Sequence, residues 1–224
     1  KNKKDENESQ QGGLNLRDYM SGLWQQLKNK SVLGIALMAG FRSAAQNSLR
    51  LFLPFYILEI IQSSPTKTVG LSPEEIAALA AGWSGLALTA LNIGGSFSSI
   101  PAGMASDRYG RRPIVMWALA LSTIFICLLS FLKDELHLVI GISFVGFSIY
   151  ALRPVMVSWM MDIVPREFLG TGTNLMFTTQ STLQLVVPLI AGIIAETYGL
   201  VYVFYFSAGL LLCANAVAFM LPKK

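Results

Sequence analysis

The stretch from Pro113 to Leu132, PIVMWALALSTIFICLLSFL, runs for 20 residues without a charged side chain. Arg108, Arg111 and Arg112 stand just before it, and Lys133, Asp134 and Glu135 just after it. At about 1.5 Å of rise per residue, 20 helical residues reach roughly 30 Å, the thickness of a bilayer's hydrocarbon core. A membrane strand would need only about ten residues and would alternate apolar with polar side chains. No such alternation is present, so this stretch is read as a transmembrane helix held between charged ends.

Five segments of the same kind surround it, at roughly 32–57, 77–104, 138–161, 170–195 and 200–221. Hydrophobic residues make up 53% of the 224-residue chain and charged residues only 13%. A soluble domain carries about 25% charge, so too little is present here for an aqueous exterior. The fold class expected is an all-α membrane protein with six transmembrane helices. Internal Gly and Pro do not oppose this, since both are common in membrane spans. Ser72-Pro73-Glu74-Glu75 reads as a helix start, with a capping hydroxyl, proline at the first position and acids in the first turn. Phe131 to Leu138 and Thr197 to Leu200 read as tight turns between antiparallel helices.

Three divisions follow. Residues 1–31 form a cytosolic polar tail, KNKKDENESQQGG, leading into an amphipathic segment with Leu16, Met20, Leu23, Trp24 and Leu27 on one face. Residues 32–221 form the six-helix transmembrane domain, and residues 222–224 a second cytosolic tail. Orientation comes from the 17 Lys and Arg residues. With the N-terminus in the cytosol, twelve fall on the cytosolic side and only Lys67 and Lys133 opposite, while Arg42, Arg50 and Arg153 lie within spans. The positive-inside bias therefore places both termini in the cytosol of a multi-pass cell-membrane protein. The chain opens on Lys1 rather than Met, as a segment of a longer chain would, and Lys1 to Gln11 is too polar for a signal peptide.

Several kinds of chemistry are disfavoured. One histidine, His137, offers no metal cluster, and Cys127 and Cys213 lie apart inside apolar runs. There is no GxxxxGK[ST] phosphate loop and no catalytic constellation, so neither an enzyme nor a cofactor is expected. The net charge of +4 follows the membrane bias and does not point to nucleic acid.

Charge inside a span is expensive and marks a polar interior. In the first span Arg42, Ser43, Gln46, Asn47 and Arg50 recur at helical spacing. Residues 42, 46 and 50 drift by only about 40° per step, so they form one stripe. Three roles are open to it: lining an aqueous cavity, pairing with another helix, or snorkelling from the helix end. Arg153 lies deep in the fourth span beside Pro154 and suits either an anion or a buried carboxylate. Asn174, Thr178 and Ser181 share a face in the fifth span, and Asn92, Ser96 and Ser99 make a smaller stripe in the second. These uncharged groups suit a cavity or hydrogen bonds between helices. The solute-path candidates are Arg42, Gln46, Asn47, Arg50, Arg153, Asn174 and Thr178.

The most specific segment is Gly103-Met104-Ala105-Ser106-Asp107-Arg108-Tyr109-Gly110-Arg111-Arg112, at the turn between the second and third spans. It resembles the G-x-x-x-D-R-x-G-R-R loop of the major facilitator superfamily of secondary transporters. The match is complete at Gly103, Asp107, Arg108, Gly110, Arg111 and Arg112. Asp162-Ile163-Val164-Pro165-Arg166-Glu167-Phe168-Leu169-Gly170 resembles that family's acid-x-x-P-x-x-x-R-G stretch, with Leu169 where arginine is common. Members have two six-helix halves, and the tail before the first span looks like their central linker, so the resemblance implies the C-terminal half. It further implies secondary active transport of a small solute by alternating access. In that reading Asp107 faces a helix of the missing half, and Arg108, Arg111 or Arg112 pairs with Asp162 or other cytosolic acids of the same half to gate the cytosolic side. The partners implied are the lipid bilayer, a missing N-terminal half or second copy, and a small solute. The intramembrane arginines favour an anion. A non-transporting membrane scaffold or assembly module remains the alternative.

Overall fold

The computed structural model describes residues 29–64 and 68–221. The tail and amphipathic segment before Asn29, like the last three residues, lie outside the described residues. Six long helices account for nearly all of the rest: α1 (Lys30–Gln62), α2 (Pro73–Tyr109), α3 (Arg111–Leu129), α4 (Glu135–Ile163), α5 (Leu169–Tyr198) and α6 (Leu200–Met220). A short 3-10 turn, Arg166–Phe168, precedes α5.

The ends obey local chemistry. Ser72 caps α2 by accepting from the Glu75 amide at 3.3 Å, while the Glu75 carboxylate accepts from the Ser72 amide at 2.7 Å. This reciprocal box, with Pro73 behind it, closes the start expected from Ser72-Pro73-Glu74-Glu75. Gly110 separates α2 from α3 with φ of 93°, and Gly199 separates α5 from α6 with φ of 105°. Both lie in backbone space that L side chains rarely occupy, which is why glycine stands at these two turns.

α1 packs along α5 and α6, α2 along α4, and α3 against α4 and α6. Exchanging the first three helices with the last three maps this set of pairs onto itself. The bundle is thus two three-helix units, the second running in the opposite sense because each contains an odd number of spans. The crossing of α2 and α4 is glycine-dependent on both sides. A Cβ at Gly94 would run into the Ser143 carbonyl, and one at Gly146 into the Leu91 carbonyl. Gly82 and Gly85, by contrast, face nothing within 4 Å, so close packing within the chain does not explain them.

Among the described residues, five helices, α2 to α6, are long and apolar enough to cross a membrane. α1 is long enough, but its polar stripe sets it apart. It packs into the bundle instead, with 17 of its 33 residues buried; of the stripe, Arg42 and Ser43 are buried and Gln46, Asn47 and Arg50 half-buried. Around it the outer surface is apolar: Trp117 is 76% exposed, Leu185 74% and Phe97 73%. Lone exposed apolar residues are ordinary, but a whole girdle of them suits hydrocarbon or another protein surface and not water.

Candidate functional site

The stripe of α1 opens onto a cavity of about 400 Å³, lined by α1, α2, α4 and α5 and by almost nothing apolar. Of the solute-path candidates, Arg42, Gln46, Asn47, Arg50 and Arg153 converge there. Asn174 and Thr178 do not; both are exposed on α5. The cavity is completed by Ser43, Asn92, Tyr150, Gln180 and Gln184. Gln180 and Gln184 are one helical turn apart and are the longest polar side chains of their span, a signal that favours them over Asn174 and Thr178.

Arg42 is the fixed member. It is 2% exposed, so it does not snorkel. Its Nη1 donates to Gln46 Oε1 at 2.9 Å and to the Ile149 carbonyl at 3.5 Å. Its Nε is buried without a hydrogen-bond partner. An unmade hydrogen bond from a buried donor is costly, more so from a charged one, so Arg42 is held in place at an energetic cost.

Arg50 is held differently. Its Nη2 donates to Asn92 Oδ1 at 2.8 Å, and the Tyr150 hydroxyl donates to the same oxygen at 3.1 Å. The guanidinium also lies 5.5 Å from the Tyr150 ring centroid, within cation–π range. Asn92 is steadied in turn by donating Nδ2 to the Leu88 carbonyl at 2.7 Å. Asn47 donates to the Gln184 carbonyl at 3.1 Å, and the Gln184 amide donates to Ser43 Oγ. These bonds tie α1 to α2, α4 and α5 around the cavity. Three guanidinium groups line it, and none of its lining residues is acidic.

A second cluster occupies the basic end of the bundle. Arg111 reaches Asp107 at 2.5 Å and Asp162 at 3.1 Å, and its Nη1 donates to Ser106 Oγ at 2.7 Å. It therefore links the end of α2 to the end of α4. Arg112 donates Nε to the Ala218 carbonyl at 3.2 Å and Nη2 to the Phe219 carbonyl, tying α3 to the end of α6. Arg108 instead lies over the Tyr109 ring at 5.6 Å, so of the three arginines it is Arg111 that meets Asp162. Asp107 is bonded to Arg111 yet stays 67% exposed. Gly103 has nothing within 4 Å of where a Cβ would sit, and Gly110 makes the turn.

A sequence model described as the Major Facilitator Superfamily matches residues 35–224. The chain belongs to that superfamily. It is therefore a multi-pass membrane protein. Among curated relatives, it is 30% identical to an uncharacterized MFS-type transporter, MJ1560, of Methanocaldococcus jannaschii, over 60% of this chain and 37% of that protein. It is 26% identical to the multidrug resistance protein MdtG of Serratia proteamaculans, over 87% of this chain and 44% of that one. The fold matches that of the POT family transporter PepTSo with a TM-score of 0.71 at 13% identity, over 85% of this chain and 37% of that chain. It also matches the inward-open xylose transporter XylE from E. coli with a TM-score of 0.66 at 16% identity, over 86% and 47%. The matched stretch thus covers less than half the length of each of these proteins.

Proposed function

We propose that this chain is the C-terminal half of a secondary transporter that moves a small anionic solute by alternating access. Two halves rock about a site near the bilayer midplane, and the polar cavity is this half's share of that site. Both chain ends face the cytosol of the cell membrane, where the excess of Lys and Arg lies. The observation that carries the reading is the cavity's charge: Arg42, Arg50 and Arg153 line it and no carboxylate does. Guanidinium groups bind oxyanions through charge-assisted hydrogen bonds in a defined geometry. A lipophilic solute finds little apolar wall there.

The Arg111 cluster is the proposed gate. It binds α2 to α4 on the cytosolic side, and the exposed Asp107 carboxylate is free to dock against a helix N-terminus of the other half, where negative charge is favoured. Gly103 leaves room for that approach. The second half itself is a proposal on the same footing, supported by curated relatives of which the matched stretch covers only 37% and 44%.

Uptake into proteoliposomes containing the complete assembly tests the reading, with a panel of carboxylates, phosphates, neutral sugars and cations. Anion uptake is expected. Arg50→Gln and Arg153→Gln should each weaken apparent affinity about 10- to 150-fold, from about 1.5–3 kcal/mol per charge-assisted hydrogen bond. Unchanged uptake in both variants removes these residues from the site. Flux of no solute at all returns the protein to the scaffold alternative.

A further inference from the structure

α3 and α6 contribute no residue to the polar cavity. Between them, at the end bearing the Gly110 turn, lies a separate groove of about 700 Å³. Its wall is mainly apolar, formed by Met116, Trp117, Ala120 and Phe219 and interrupted by Asn215, and Arg112 stands at its mouth. From Arg112 to Ala120 the groove descends roughly 12 Å along α3 at about 1.5 Å per residue. That distance carries it from headgroup depth into the acyl region. Trp117, 76% exposed, lies between those depths, and tryptophan concentrates at such membrane–water boundaries.

The mouth is built for negative charge. Two of the five N–H donors of Arg112 are engaged by the Ala218 and Phe219 carbonyls, and its guanidinium sits 5.6 Å from the Phe219 ring. These contacts hold the charge at the rim while leaving further donors for a ligand. The first turn of α3 has no acidic residue, and Gly110 supplies no side-chain cap. The amides of Arg111 and Arg112 in that turn, Pro113 having none, add a second source of positive potential. An apolar channel topped by fixed positive charge complements one amphiphile in particular.

We propose that this groove binds an anionic phospholipid, with the phosphate against Arg112 and the first turn of α3 and one acyl chain along Met116, Trp117 and Ala120. Basic pockets between membrane helices suit such headgroups where the leaflet is rich in them. The lipid would then brace the same turn that holds Arg111 to Asp107, coupling leaflet charge to the basic cluster. The site depends on the chain's membrane placement and not on what the polar cavity carries.

Native mass spectrometry of the full assembled protein in detergent tests this, with phosphatidylglycerol and phosphatidylcholine of matched acyl chains supplied in equal amounts. Phosphatidylglycerol should be retained about fivefold more, the effect expected of one basic side chain at a membrane surface. Arg112→Gln should abolish that preference. Ala120→Phe, which fills the groove and leaves Arg112 in place, should reduce retention of both lipids, and it carries the test if Arg112→Gln fails to fold. Inorganic phosphate in excess should not displace the lipid. Equal retention of the two lipids by the unaltered protein overturns the proposal, as does undiminished retention in Ala120→Phe or ready displacement by phosphate. Lipid retention is read without any solute, so a failure of transport leaves it standing.

Discussion

Replacing Gly146 with alanine should lower stability even though alanine is the better helix former. In α4 the added Cβ would enter the space of the Leu91 backbone carbonyl on α2. A backbone carbonyl cannot swing aside as a side chain can, and the reciprocal contact of Gly94 with Ser143 leaves α2 no room to slide. Ordinary Cβ contacts begin at 3.4 Å, so the helices must part by on the order of 1 Å against an interior packed as densely as an organic crystal. Overpacking of this kind costs about 1–3 kcal/mol, and the rigid obstacle puts it near 3. The gain in helix propensity offsets about 1 kcal/mol of that, leaving a net loss of about 2 kcal/mol. At about 2–4 °C per kcal/mol for a chain of this size, the unfolding midpoint should fall by roughly 4–8 °C. Gly209→Ala in α6 is the matched control, since nothing lies within 4 Å of its added Cβ. It should keep the propensity gain and leave the midpoint level or raised. Thermal unfolding of both variants in the same lipid or detergent decides it. Shifts of the same sign and size at Gly146 and Gly209 would refute the claim that backbone contact sets the α2–α4 crossing.

Three other substitutions probe the sites and the caps. Arg42→Met removes a buried charge whose hydrogen-bond partners among the described residues are neutral, so no acid is orphaned and stability should stay within about 1 kcal/mol or rise. Chemical denaturation measures this, and a loss of about 3 kcal/mol or more would mean that Arg42 has a charged partner. A double-mutant cycle of Arg111→Gln with Asp162→Asn should give a coupling of only about 0.2–1 kcal/mol, because Asp162 is 53% exposed; coupling well above this would mean the pair holds the bundle together rather than serving a gate. Ser72→Ala removes the cap of α2 and should cost about 1 kcal/mol locally, seen as faster amide exchange at Glu75 and Ile76 with the exchange of buried α1 amides unchanged.

Much of the fold is legible along the chain because hydrocarbon imposes a local rule. Each span must supply its own length and satisfy its own backbone, so charge-free runs and their boundaries can be read one segment at a time. The start at Ser72 and the turns at Gly110 and Gly199 follow from short motifs, while the motif left Asp162 a choice of three arginines that the structure narrows to Arg111. α1 is the instructive case. Its polar stripe marks a helix turned to the protein interior, and it is the most enclosed of the six.

The sequence by itself determined six helices and the polar face of α1, with most helix ends placed only to within about five residues, since these depend on spacing within single segments and on the low dielectric around them. Only the tertiary structure decided which faces meet. The choice of Gln180 and Gln184 over Asn174 and Thr178 as cavity walls depends on the rotation of α5 about its own axis. The meeting of Arg50, Asn92 and Tyr150 depends on three helices crossing at matching depths. Rotation and depth are set by contacts between helices, such as the glycine crossing of α2 and α4, and periodicity along one helix carries no information about either.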